Sequence, residues 1–161
     1  MRIKIILLIA AAFIAGGLGA QNLPDVKVED LSGKTVSTKT LIDGKTPFVV
    51  TFWASWCKPC LMELSALEEA VPGWKPGFPV RIYAVSVDDS RSIAEARALA
   101  ASSDWPVTVL FDTKQRLVQA FKVSSIPHVF VFDKNGKQVY THFGYTPGCE
   151  ETLLEKLIEA K

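Results

Sequence analysis

Apolar residues recur along this chain with two different periods, and the breaks between them outline the elements. Phe48-Val49-Val50-Thr51-Phe52-Trp53 is apolar at every position but Thr51, as expected of a strand covered on both faces. Pro47 opens it. Val80–Val87, Val107–Phe111 and His128–Phe132 read as further strands of the same kind. Between them the period lengthens. Leu61, Leu64, Leu67 and Val71 share one helical face, and Pro72-Gly73 ends that helix. Trp74–Pro79 is a loop rich in Pro and Gly. Asp88, Asp89 and Ser90 offer caps for a helix running to about Ala101, and Asp112 or Thr113 for one running to about Phe121. The loop Lys122–Ile126 then leads to Pro127. Pro147-Gly148 starts a last helix with Leu153, Leu154, Leu157 and Ile158 on its buried side.

Shorter alternations flank this core. Val26-Lys27-Val28 and Lys34-Thr35-Val36-Ser37 surround Asp30-Leu31-Ser32-Gly33, which predicts a β-hairpin turning at Ser-Gly. Leu41–Lys45 reads as a short helical turn or loop. Asn135-Gly136 predicts a second hairpin with a two-residue loop, from which Gln138–His142 returns antiparallel. Strands alternating with helices and closing on a hairpin and a helix give an α/β fold with a mixed central sheet and helices on both faces. The right-handed crossover rule places whatever follows Trp53 at the carboxyl end of its strand.

Composition sets the size and the compartment. The chain has 161 residues, of which 48% are hydrophobic, enough for one domain with a sizeable core that needs no disulfide staples. The formal charge of +1 becomes −1 when Arg2 and Lys4 are set aside, so no basic footprint for nucleic acid exists. Those two residues precede the apolar run Ile5–Ala15 and the small residues Gly16–Ala20. Residues 1–20 are therefore expected to be a signal peptide cleaved after Ala20, or an uncleaved N-terminal anchor, and residues 21–161 the folded domain. The apolar run is shorter than the ~20 residues of a comfortable membrane span. No cysteine lies near residue 20 to carry a lipid. Either form implies work outside the cytoplasm, in the periplasm or an equivalent space.

The candidate chemistry follows the first core strand at once. Trp53-Ala54-Ser55-Trp56-Cys57-Lys58-Pro59-Cys60 carries two cysteines separated by two residues where a helix begins. Unpaired N–H groups and the dipole at a helix start favour a thiolate there. A structural disulfide closing so small a loop would constrain the unfolded chain little. Structural zinc needs four ligands, and no second cysteine pair exists.

With Ser125-Ile126-Pro127 and the Asn135-Gly136 hairpin, this stretch resembles the thioredoxin superfamily, and more closely its extracytoplasmic TlpA/ResA-type members. The narrower resemblance rests on the leader, the hairpin ahead of the core, and Glu63 three residues after Cys60. It also rests on a Cys60-to-Pro127 spacing that leaves room for an extra βα unit. It implies a thioredoxin fold with a mixed central sheet flanked by helices, an N-terminal β-hairpin and that extra unit. Cys57 would be the nucleophile and Cys60 the resolving thiol. Lys58 and Pro59, between them, would tune the redox poise, although the lysine reads equally as a solvated side chain. Pro127 is expected to be cis, leaving the main chain of Ile126 free to pair with an extended substrate. An ordinary strand-opening proline is the alternative. Trp56 would rim the substrate groove, and Trp53 would pack in the core.

The sequence departs from thioredoxin itself at Thr51, which stands where that protein has a buried Asp. Glu63 is the candidate replacement for handling the proton of Cys60, against the alternative of an acid simply favoured near a helix N-terminus. His128 reads as a strand-packing residue ahead of a metal or acid–base role, and His142 as a plain hairpin residue. Cys149 reads as a buried, inert thiol on the face of Leu153, with a redox sensor or intermolecular bridge as the alternative.

The expected function is an extracytoplasmic thiol–disulfide oxidoreductase, a reductase of protein disulfides as in cytochrome c maturation. It would work as a monomer through Cys57 and Cys60, with no cofactor and no metal. Its partners would be disulfide-bearing client proteins and an upstream membrane electron donor, with a possible membrane tether through its N-terminus. Two competitors stand beside it. A thiol peroxidase would carry Thr-X-X-Cys, which is absent ahead of Cys57. A copper-handling thiol protein would use Cys57, Cys60 and His128 as soft ligands.

Overall fold

The computed structural model describes residues 21–74 and 77–161. The leader or anchor expected over residues 1–20 lies outside the described residues, as does part of the Trp74–Pro79 loop. The strands are β1 (Lys27–Asp30), β2 (Thr35–Ser37), β3 (Phe48–Trp53), β4 (Ile82–Ser86), β5 (Thr108–Phe111), β6 (His128–Phe132) and β7 (Gln138–Phe143). The α-helices are α1 (Lys58–Ala70), α2 (Ile93–Ser102), α3 (Arg116–Phe121) and α4 (Cys149–Glu159). The last helix, Cys149–Glu159, closes the chain.

Alternation along β3 builds a core on each side of the sheet. Phe48, Val50 and Phe52 enter one cluster with Tyr83, Val85, Phe130 and Phe132, covered by Leu117 and Phe121 of α3. Val49 and Trp53 enter the clusters on the opposite side, where Leu64 and Leu67 of α1, Ala96 and Ala100 of α2 and Leu153 and Leu157 of α4 pack. Helices therefore lie on both faces, as the continuous apolar strands require.

The sheet order is β2-β1-β5-β4-β3-β6-β7. β3, β4 and β5 run parallel, while β1 joins β5 and β6 joins β3 antiparallel. This is the expected mixed sheet with the N-terminal hairpin at one edge. The unit for which the Cys60-to-Pro127 spacing left room is α2–β5. Parallel pairing of β3 with β4, Trp53 opposite Ser86, brings the motif and the Val87-Asp88 segment side by side at the carboxyl ends of the two strands. Among the described residues no helix is long and apolar enough to cross a membrane.

Several local expectations are corrected. The second core strand is Ile82–Ser86, shorter than Val80–Val87. Asp88 and Asp89 do not cap α2, whose N-cap is Ser92 without a side-chain bond. Asp88 is turned inward, and Asp89 pairs with Arg91 at 2.6 Å. Asp112 does serve α3, accepting from the N–H groups of Arg116, Leu117 and Val118. Ile158 is 43% exposed. Leu153 and Leu157 already define the buried stripe of α4, and the next residue lies about 100° further round the helix. The short helical turn spans Thr38–Leu41, ahead of the Leu41–Lys45 stretch.

The second hairpin also turns differently. A two-residue loop of the primed type needs positive φ at both central residues, yet Asn135 has none and Gly136 has φ of 81°. Gly136 N–H donates to Asp133 O at 3.0 Å and Asp133 N–H to Lys137 O at 2.9 Å, closing a longer loop. The Asp133 carboxylate accepts from Asn135 and Lys137 N–H. Asp30 does the same for Ser32 and Lys34 in the first hairpin. A Cβ on Gly136 would run into Ile42 Cδ1. Gly136→Ala is expected to destabilise the fold by about 1–2 kcal/mol, through the left-handed backbone and this contact. The urea midpoint measures it.

Candidate active site

β3 is buried along its whole length, and its carboxyl end delivers the motif to one place. The chain turns there, with Cys57 N–H donating to Ala54 O at 3.1 Å. Cys57 is the N-cap of α1, in an extended conformation, and its Sγ accepts from Cys60 N–H at 3.3 Å. Pro59 occupies the first turn, where its missing N–H costs no helical bond. Cys57 and Cys60 form a disulfide with Cα atoms 5.3 Å apart. The sulfur meant to attack thus lies among unpaired helix N–H groups, which stabilise a thiolate once the bond is reduced. Cys57 is only 5% exposed, because Cys57 and Cys60 pack with Trp53, Leu64 and Ile126. Lys58 and Pro59 face solvent.

Trp56 is 67% exposed beside the disulfide, whereas Trp53 is fully buried and meets Trp105 edge-on with ring centres 5.3 Å apart. Trp56 shares a cleft of about 370 Å³ with Val87, Val118, Val123 and Ile126. The Ile126–Pro127 peptide is cis. Pro127 O accepts from Gly144 N–H at 2.8 Å, and among the described residues no hydrogen bond engages the main chain of Ile126. Trp56 and Ile126 therefore wall one cleft, and Ile126 also packs against the cluster that holds Cys57 and Cys60.

Glu63 follows Cys60 by one helical turn and points inward, only 4% exposed. Thr51 Oγ1 donates to its Oε1 at 2.6 Å, while Oε2 has no partner among the described residues. Burial pushes the carboxyl up to about 7, with the Thr51 hydrogen bond pulling weakly the other way. Thr51 and Glu63 thus meet across the strand–helix interface. An acid merely favoured by a helix start would stay in water.

His128 stacks on Phe130 with centres 4.3 Å apart, and its Nε2 meets Thr141 Oγ1 at 3.1 Å. Burial, and then His142, hold its ring below the usual histidine range. His142 lies in β7 of the hairpin, as expected. It is half-buried beside Tyr140, with neither ring nitrogen partnered among the described residues, and burial holds it low as well. Cys149 is half-buried at the start of α4, and burial pushes its thiol up, with Glu63 and Glu150 adding to the rise. Among the described residues no group of three or more His, Cys, Asp or Glu side chains gathers closely enough to hold a metal ion.

Sequence reasoning missed the buried Asp88, which joins Ser55 and Ser86 at the foot of the motif. The available signal was an acid two residues after Ser86 at the end of an apolar run.

Residues 20–141 match the AhpC/TSA family. The chain is 33% identical over 116 residues to the thiol-disulfide oxidoreductase ResA of Bacillus thuringiensis strain Al Hakam, covering 72% of this chain and 64% of that protein. The match thus spans less than two thirds of that relative's length. A thioredoxin-like protein from Porphyromonas gingivalis superposes with a TM-score of 0.73 at 41% identity, covering 88% of this chain and 92% of its own. A protein from Chlorobium tepidum, described as a thiol:disulfide interchange protein DsbE, superposes with a TM-score of 0.74 at 25% identity, covering 88% and 96%.

Proposed function

The chain belongs to the AhpC/TSA family, and from that premise we propose that it is an extracytoplasmic thiol–disulfide oxidoreductase that reduces protein disulfides. The observation that carries the reading is a Cys57–Cys60 disulfide at the N-cap of α1, together with a main chain at Ile126 that has no hydrogen-bond partner among the described residues. The similarity to proteins named thiol-disulfide oxidoreductase ResA supports it, as does the apolar leader pattern of residues 1–20.

In the reduced protein the Cys57 thiolate attacks one sulfur of a client disulfide. The client's other sulfur leaves as a thiolate and takes a proton. Cys60 then loses its proton and attacks Cys57 Sγ, which expels the second client thiol and regenerates the Cys57–Cys60 disulfide. Two electrons pass to the client, and an upstream membrane donor returns them. Glu63, one turn beyond Cys60, accepts the Cys60 proton, for which a carboxyl near 7 is well matched. Trp56 and the main chain of Ile126 hold the extended client, and Lys58 and Pro59 tune the poise of the pair. The exchange needs no bound cofactor, and one copy of the chain suffices. Cytochrome c maturation is one process that consumes such reducing equivalents.

The test is reduction of insulin disulfides by dithiothreitol with and without the purified domain, where acceleration is expected. Equilibration against glutathione then fixes the direction. A reductase leaves Cys57–Cys60 largely oxidised in a mixture that reduces glutathione disulfide. A pair that instead stays reduced while glutathione is oxidised identifies an oxidant and overturns the reading.

A further inference from the structure

A second buried carboxylate meets Ser55, two residues ahead of Cys57, and takes no part in the chemistry above. Asp88 is 1% exposed. Its Oδ2 accepts from Ser55 N–H at 3.0 Å and from Ser86 Oγ at 2.8 Å, and its Oδ1 accepts from Ser55 Oγ at 2.7 Å. Its own N–H donates to Ser86 Oγ at 3.1 Å. The donors that meet the carboxylate are all neutral, and each belongs to a segment leaving a parallel strand. Ser55 leaves β3 and Ser86 ends β4. Between them the ladder already runs one step past the sheet, with Val87 N–H donating to Trp53 O at 2.8 Å. The Asp88 side chain extends that ladder by one more residue, onto Ser55.

This arrangement bears on Cys57. Ser55 sits two residues before it, inside the turn closed by Cys57 N–H and Ala54 O. While the disulfide is intact, the bond to Cys60 itself helps to hold Cys57 at the helix start. Once the pair is reduced that tether is gone, and the preceding turn is left to keep the sulfur among the helix N–H groups together with the Leu61 N–H bond to Cys57 O at 3.1 Å. A buried polar network whose members are all partnered resists such loosening, because opening it strands a carboxylate away from water.

We propose that Asp88 is a positioning residue for disulfide exchange. Through Ser55 it clamps the Ser55–Trp56–Cys57 turn to the end of β4, so that the Cys57 sulfur stays at the N-cap of α1 in the reduced protein. The inference rests on the exchange reading above. It assigns the work to hydrogen bonds and not to the charge. An Asn at this position can reproduce the network, because its amide oxygen takes the place of Oδ2 and its NH₂ group donates to Ser55 Oγ.

The experiment compares Asp88→Ala with Asp88→Asn in the reduced protein, reading the pH midpoint of Cys57 alkylation by peptide mapping and kcat/KM for insulin disulfides. Asp88→Ala is expected to raise the midpoint by about one pH unit toward that of an ordinary thiol and to lower kcat/KM about tenfold. Asp88→Asn is expected to keep the midpoint within about half a pH unit and kcat/KM within about threefold of the parent protein. An Asp88→Ala protein that melts earlier but keeps the parent midpoint would show a purely structural role and overturn the proposal. Asn failing as badly as Ala would assign the effect to charge and overturn it as well. Should Asp88→Ala not fold, Ser55→Ala removes only the hydroxyl arm and is expected to move the midpoint the same way by a smaller amount; an unmoved midpoint there rejects the clamp. Absence of insulin turnover in the parent protein refutes the exchange reading alone, since the alkylation midpoint needs no turnover.

Discussion

Replacing Cys57 by Ser is expected to drop insulin-disulfide reduction to the uncatalysed background while the domain stays folded. A hydroxyl at the helix start is far less acidic than a thiol and supplies no anion to attack sulfur at neutral pH. Ser is also a favoured N-cap residue, so α1 keeps its start and the loss is chemical. The companion variant Cys60→Ser is expected to behave differently. Attack by Cys57 still forms a mixed disulfide, but nothing on the next turn expels the client, so turnover stops with the client covalently held. Non-reducing gels and intact mass distinguish the two. The nucleophile is misassigned if Cys57→Ser retains activity, or if Cys57→Ser is the variant that traps the client.

The second large effect concerns Glu63 and carries a sign in two measurements. The carboxyl titrates near 7 in the folded protein, against 4.5 as its ordinary value. Between these values the folded state holds a proton that the unfolded state has released, so stability falls as pH rises through that window. Below about 4.5 both states are protonated and the effect vanishes. The full drop is roughly 3 kcal/mol, from the span between the two values. Glu63→Gln is expected to abolish this slope in chemical-denaturation midpoints taken from pH 4 to pH 8. Its exchange rate moves the other way. Above about 7 the parent carboxylate can accept the Cys60 proton, so resolution of a mixed disulfide accelerates as pH rises through that value. The variant loses that inflection and is expected to resolve about a hundredfold more slowly. A Glu63→Gln protein whose pH–stability and pH–rate curves both match the parent would place the carboxyl outside the proton path.

Much of this architecture can be read from the order of residues. β3 has six core positions in a row, and no exposed helix or loop tolerates such a run. The Leu64–Leu67 stripe of α1 is likewise inescapable at helical spacing. Two cysteines at the junction of strand and helix place the disulfide before any coordinates are known, because the helix start follows from where one period gives way to the other. Pro127 is legible through its resemblance to a known pattern and not through physics, since an X-Pro bond carries no local signal strong enough to fix its isomer.

What depended on distance across the fold was not legible. Glu63 in the first turns of a helix looks the same whether it meets water or Thr51. Only the packing of α1 on β3 brings that hydroxyl to 2.6 Å and removes the solvent that would hold the carboxyl ionised. Asp88 reads as a helix cap one residue from Asp89, yet the parallel pairing of β3 with β4 turns it toward Ser55 and leaves its neighbour outside with Arg91. Cys57 is shielded by residues such as Ile126 that are remote along the chain. Periodicity and helix-start chemistry act between near neighbours, so sequence alone determined the elements, the two faces of the sheet and the place of the disulfide. Desolvation and hydrogen bonding to remote partners act through space, so only the tertiary structure decided which carboxylates are buried and which hydroxyl and N–H groups they meet.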